Sequence, residues 1–329
     1  MANRYAPYLT ALSKEKYKIL LTAARVAVGI GLILFLFWSL DIQEIFNNIR
    51  GVVVKYLVYA TIPYLLFIFF SAWRWQVLLD FKRFGIRFGQ TLKIYFISLF
   101  FNNFLPTTVG GDMMRVAYTM KDRRADALAT VLVDRILGFI GLFIFALIAV
   151  LYLLIKKNET EFLPFMVAGL SIVVLITYIF FSEKAYSLFS PIISKMKILR
   201  IGERINRLHE AGTDFGGAWG VISLCVAHSV IIQATLAIAP FYVLMGMGHS
   251  EVSVLSFFIY VPIINVISMI PVSLNGLGVR ENSYVILFSR VGLDGELSLA
   301  MSLVSFFIIF LFSLIGGLFF IFYRQRESR

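Results

Sequence analysis

Cysteine is almost missing from this chain. Cys225 is the only one in 329 residues, which excludes an intramolecular disulfide and any zinc or iron–sulfur centre built on thiolates. Histidine is equally scarce: His209, His228 and His249 lie apart, without the H-E-x-x-H spacing of a zinc hydrolase. No G-x-x-x-x-G-K-[ST] loop occurs, so the chain by itself does not hydrolyse ATP, and no cofactor is implied. Charge is thin as well. Only 15% of residues are charged, against about 25% in a soluble domain.

What fills the space is apolar. Sixty per cent of the residues are hydrophobic and 33 are Phe, with a mean hydropathy of +0.86. A water-exposed surface cannot be made from that composition, which points to an integral membrane protein. No stretch departs from it for long enough to form a soluble domain, so residues 1–329 read as one membrane domain. Six apolar runs are long enough to cross about 30 Å of hydrocarbon: 19–40, 52–72, 129–155, 162–181, 218–246 and 297–323. Two more, 91–105 and 253–270, are shorter. Each stops near a proline (Pro106, Pro271) and a glycine-rich stretch, and a second short helical run follows.

The net charge of +11 would suggest nucleic acid if it were clustered in a soluble domain. Here it follows the spans. Residues 1–18, 73–90, 112–124, 182–217 and the C-terminal tail hold 21 Lys and Arg, against five in the remaining connections. Excess Lys and Arg mark cytoplasmic loops, so no nucleic-acid partner is expected and both termini are placed in the cytoplasm. The split works only if the two short elements dip in and return. Residues 91–112 then re-enter from the cytoplasm and 253–290 from outside. The expected fold is an all-α polytopic membrane protein with six full spans and two re-entrant hairpins. It is built as an inverted-topology repeat of 1–157 and 158–329. Eight full crossings is the alternative.

Broken helices at matching places in two halves are the best sequence pointer to a midplane binding site. In the first, Gly110 and Gly111 permit tight turns and Asp112 is the expected N-cap of a helix over 113–121. In the second, Asn275, Gly276 and Gly278 lead into a helix near 279–289. Both helix N-termini would favour an anion; glycines that serve only close helix packing are the alternative. Arg115, Asp134, Arg135, Arg280 and Glu281 add ionisable groups where these are rare, paired and usually functional. Adjacent helical residues point about 100° apart, so Asp134–Arg135 and Arg280–Glu281 are not expected to pair. Cross-repeat pairs are expected instead: Asp112 or Glu281 with Arg135, and Asp134 with Arg280. The segment 191–208 sets Ile198, Ile201, Ile205 and Leu208 against Arg200, Arg204 and Arg207. It reads as a cationic helix lying on the anionic lipids of the cytoplasmic leaflet, with a weaker counterpart at 41–50. His228 reads as a packed polar residue.

N-N-F-L-P-x-x-x-G-G-D at 102–112, D-R at 134–135 and P-x-S-x-N-G-x-G-x-R-E at 271–281 together resemble the flippase-like family that includes the transmembrane domain of lysylphosphatidylglycerol synthases. The resemblance implies an inner-membrane protein that moves lipids between leaflets. Pro106, Gly110, Gly111, Asp112, Arg115, Asp134, Arg135, Pro271, Gly276, Gly278, Arg280 and Glu281 take the motif places. The aminoacyl-transferase domain of the two-domain members is absent from this sequence, so lipid lysylation is not implied. The expected activity is translocation of an anionic phospholipid or a polyprenyl-phosphate lipid, with no catalytic residues. A non-transporting partner of another envelope protein is the alternative, followed by a lipid-modifying membrane enzyme. The implied partners are the lipid substrate and, less defined, a homodimer or an envelope-biogenesis protein.

Overall fold

The computed structural model describes residues 6–104, 110–119, 121–187, 208–270 and 272–327. Among them the chain is all helix and turn. In chain order run α1 (Ala6–Ser39), α2 (Ile42–Arg50), α3 (Val54–Phe81), α4 (Phe88–Phe104), α5 (Gly110–Ala117) and α6 (Arg124–Lys157). Then come α7 (Leu163–Phe181), α8 (Trp219–Gly246), α9 (Val254–Ser268), α10 (Val279–Phe288) and α11 (Gly295–Glu327). Six helices are long and apolar enough to cross a membrane: those at Thr22–Ser39, Val54–Phe81, Arg124–Lys157, Leu163–Phe181, Trp219–Gly246 and Gly295–Phe322. These are the six runs expected from the sequence. Pro106 and Pro271 lie outside the described residues, as does the 191–208 segment apart from Leu208.

Two boundaries differ in ways that matter. The second span runs on to Phe81 rather than stopping at 72, so Arg74 sits inside a helix and is buried; it does not belong to a loop. The helix expected over 113–121 starts at Gly110. Asp112 is therefore in its first turn, and its carboxylate is engaged elsewhere than in capping.

α5 and α10, of 8 and 10 residues, are about 12 and 15 Å long at 1.5 Å per residue. Neither can cross a bilayer alone. α5 packs on α4, and α10 on α9. The helices that precede them lean on the opposite half of the chain: α4 on α11, and α9 on α6. The α4–α11 seam is tight, since a methyl group added at Gly316 would lie 1.9 Å from the Phe96 carbonyl oxygen. Between the halves, α3 and α8 lie along each other.

Polar contacts tie the loops into two groups. Lys82 pairs with Asp126 at 3.5 Å and Asp214 at 2.6 Å, and Arg123 donates to the Lys82 carbonyl at 3.0 Å. The connections 82–87, 121–126 and 214 are thereby joined. In the other group, Val53 N donates to Gly246 O at 2.8 Å and Asp41 N to Glu296 Oε1 at 3.2 Å. Arg290 pairs with Glu159 at 3.2 Å and Glu161 at 2.6 Å. Asp41 caps α2, its carboxylate accepting from Gln43 N at 2.8 Å. His228 packs against the Trp73 ring at 5.0 Å, as a buried polar residue in an aromatic setting.

Candidate functional site

The first interrupted element is held by glycine. A Cβ at Gly111 would lie 2.2 Å from Ser98 O and 2.6 Å from the Asn102 side chain, so α5 can begin against the last turns of α4 only without one. Gly111 N donates to Asn102 Oδ1 at 3.1 Å, which uses up a donor that an anion would otherwise need. This docking fixes where Asp112 and Arg115 arrive.

They arrive beside α6. Asp112 Oδ2 accepts from Arg135 Nε, one of the pairings expected from the sequence, and Asp112 Oδ1 lies 3.7 Å from Arg115 Nη1. Arg115 Nη2 donates to Asp134 Oδ2 at 2.8 Å. The other Asp134 oxygen, Oδ1, accepts from Arg74 Nε at 2.6 Å. Arg74 Nη1 reaches Ser229 Oγ on α8 at 2.8 Å. The Arg115 guanidinium also lies over the Trp75 ring, 4.2 Å from its centroid. Four helices thus converge on three arginines and two aspartates. Arg74, Arg115 and Asp134 are 7%, 3% and 2% exposed, so water does not offset their desolvation; each needs its partner.

A cavity of about 320 Å³ opens on this cluster, and all five charged residues line it. Asn102 of α4, Gln233 of α8 and Asn265 of α9 contribute polar groups to the same wall. Arg115 Nε is buried and has no hydrogen-bond acceptor among the described residues.

The second element is arranged differently. Arg280 Nη2 pairs with Glu281 Oε1, and the guanidinium lies over the Phe306 ring, 4.4 Å from its centroid. The expected Asp134–Arg280 pair is not made, and the neighbours expected to stay apart are joined. The reason is a cap: Glu281 Oε2 turns back to accept from Gly278 N at 2.6 Å. That bend brings its other oxygen within reach of the long Arg280 side chain. Glu281 is fully buried. Gly278 has φ +80°, and a Cβ there would lie 2.7 Å from Gly29 O of α1; both conditions demand glycine. Gly276, at φ +72°, abuts Ser268. Asn275 Nδ2 donates to Asn102 O at 2.8 Å, so the two interrupted segments touch at their tips. Gly110, Gly111, Asn275, Gly276, Gly278, Arg280 and Glu281 are not among the cavity's lining residues. The first-half charges and the second-half pair form separate centres. Arg74, which sequence reasoning placed in a loop, belongs to the first; its signal was the continued helical spacing of Ser71, Arg74 and Leu78.

Residues 22–317 match the family described as lysylphosphatidylglycerol synthase TM region. The chain belongs to that family. Curated relatives include a UPF0104 membrane protein of Pyrococcus horikoshii, 23% identical over 318 residues, covering 89% of this chain and 94% of the relative. A second UPF0104 membrane protein, from Methanothermobacter thermautotrophicus, is 24% identical over 323 residues and covers 89% of each. No solved structure is a significant match. This member of the lysylphosphatidylglycerol synthase transmembrane family is therefore a multi-pass membrane protein whose charged centre is buried among its spans.

Proposed function

We propose that the chain is a lipid translocase of the cytoplasmic (inner) membrane, moving an anionic lipid between leaflets without chemical modification. One observation carries the reading: a cavity among the spans lined by three arginines and two aspartates. Four buried ionisable groups and a fifth, Arg135, that is partly buried are costly in a membrane and mark substrate paths by default. A headgroup can cross hydrocarbon only where fixed charge replaces its hydration. With three arginines against two aspartates on its lining, the cavity is suited to holding an anion.

The inverted repeat is part of the proposal. It draws support from the two loop groups, because both flanks of the α4–α5 element share one and both flanks of the α9–α10 element share the other. Lys and Arg are rich in the first group and poor in the second, which supports cytoplasmic termini.

Two experiments test this. In liposomes holding fluorescent nitrobenzoxadiazole-labelled phosphatidylglycerol, external dithionite bleaches only the outer leaflet. Reconstituted protein should carry bleaching on into the inner-leaflet pool, and bleaching that stops where protein-free liposomes stop would defeat the translocase reading. For topology, Cys225→Ser, which removes the one native thiol, provides the background for single cysteines at Phe88, Asp122, Ser250 and Asp294. An impermeant maleimide added to intact cells should label 250 and 294 but not 88 or 122. Labelling of 88 and 122 from opposite sides would rule out the re-entrant element.

A further inference from the structure

We infer that Asn102 and Asn275 form a latch that closes the charged cavity at the end where α4 and α9 stop. This rests on the translocase reading and adds the barrier it requires, since a site open to both leaflets at once would be a pore. Asn102, Asn265 and Met269 line the cavity at that end. Each tip is firmly built within its own half. Gly111 is docked under the last turns of α4, its N–H held by Asn102 Oδ1 at 3.1 Å. Opposite, a Cβ at Gly276 would lie 2.9 Å from Ser268 O, and Gly278 is pressed against Gly29 of α1. Between the tips the described residues share one hydrogen bond, Asn275 Nδ2 to Asn102 O at 2.8 Å. The weakest joint is the one between the two interrupted segments.

That joint is suited to opening. Asn102 stands in the last turn of α4, where carbonyls have no partner within the helix. Asn275 is exposed, so water can take over both ends of the bond. Its backbone holds φ +50°, a left-handed turn that asparagine tolerates better than most residues, and the turn itself need not change when the bond breaks. The α4–α11 seam has no such freedom, because Gly316 meets the Phe96 carbonyl without room for a methyl group.

The test follows a cavity cysteine. Leu236 lines the cavity from α8, and Leu236→Cys is made in the Cys225→Ser chain. The impermeant anion 2-sulfonatoethyl methanethiosulfonate is added on whichever membrane face labels a cysteine at Asp294, so the result does not depend on orientation. Asn275→Gly keeps the left-handed backbone and removes the donor. It should speed labelling at position 236 about 2–10-fold, the weight of one net hydrogen bond in an opening equilibrium. Asn275→Asp sets a carboxylate oxygen against the Asn102 carbonyl at unchanged size, and should speed it at least as much. Asn282→Ala is the control: its amide donates to Leu32 O at 3.4 Å and Gly278 O at 2.7 Å, not to α4, so labelling should keep the parent rate. Parent-rate labelling in either Asn275 variant that elutes with the parent in size exclusion overturns the latch. So does an equal rise in Asn282→Ala, which would mean general loosening. The dithionite assay keeps the two readings apart. Faster labelling in Asn275→Gly, with no lipid movement by the parent chain, upholds the latch and removes the translocase. Lipid movement with parent-rate labelling upholds the translocase and removes the latch.

Discussion

Replacing Asp134 by asparagine should lower the stability of the folded chain by about 3–5 kcal/mol. The carboxylate receives Arg74 on one oxygen at 2.6 Å and Arg115 on the other at 2.8 Å, and 2% of the residue is exposed. Asparagine fits the space but leaves Arg74 without a carboxylate and Arg115 with Asp112 alone, at 3.7 Å, and its own N–H₂ turns a donor toward donors. Breaking a buried pair from one side is far costlier than never having built it. Asp214→Asn is the matched control. Its partner Lys82 keeps Asp126, and the Asp214 side chain is 63% exposed, so solvent screening holds the expected loss to about 0–1 kcal/mol. Removing one stranded charge as well, in Arg74→Met with Asp134→Asn, should recover part of the stability, because the two sites share one interaction. Denaturant unfolding in mixed micelles measures all three. An Asp134→Asn loss no larger than that of Asp214→Asn would mean the cluster does not hold the bundle together.

The six long helices were readable because an uninterrupted apolar run of that length is at home in few places besides a bilayer; each span matches an expected run to within a few residues at one end or both. The two short elements were readable because glycine and proline interrupt apolar sequence at matching places. The side-chain pairings were not. Arg74 follows directly on an apolar run, and a count that assigns every Lys or Arg after such a run to a loop discards it. In the fold α3 continues past it, with Trp75, Leu78 and Leu79 fully buried. Asp112–Arg135 was foreseen, as an alternative to Glu281–Arg135, because helix direction turns Arg135 away from its neighbour Asp134. Arg280–Glu281 was excluded by an argument about helix directions that holds mid-helix and fails at a first turn. There, a glutamate bends back to cap the chain, and one carboxylate serves a backbone N–H and an arginine together. Nor could the sequence say that the glycines at 111 and 278 act by close approach, since that depends on Ser98 and Gly29 lying where packing puts them.

Arg115→Ala should slow lipid movement by roughly 10–100-fold while leaving the protein folded. The magnitude follows from charge-assisted hydrogen bonds worth about 1.5–3 kcal/mol, with each 1.36 kcal/mol a factor of ten in rate. Folding should survive better than in Asp134→Asn, because Asp134 keeps Arg74 and Asp112 keeps Arg135. Transport should fall, because Arg115 lines the cavity with a planar guanidinium fork. Its substitution also removes the cavity's single excess charge. Arg115→Lys separates those two contributions: the charge stays, the planar fork is lost, and the rate should fall between wild type and alanine. Arg290→Ala is the control for arginine loss as such, since Arg290 pairs with Glu159 and Glu161 at the end of the bundle, away from the cavity lining. Initial dithionite-bleaching rates, normalised to protein recovered in the liposomes, read the comparison. Wild-type rates in Arg115→Ala, or an equal fall in Arg290→Ala, would show that movement of lipid does not pass the arginine cluster, and the site would have to be sought elsewhere in the bundle.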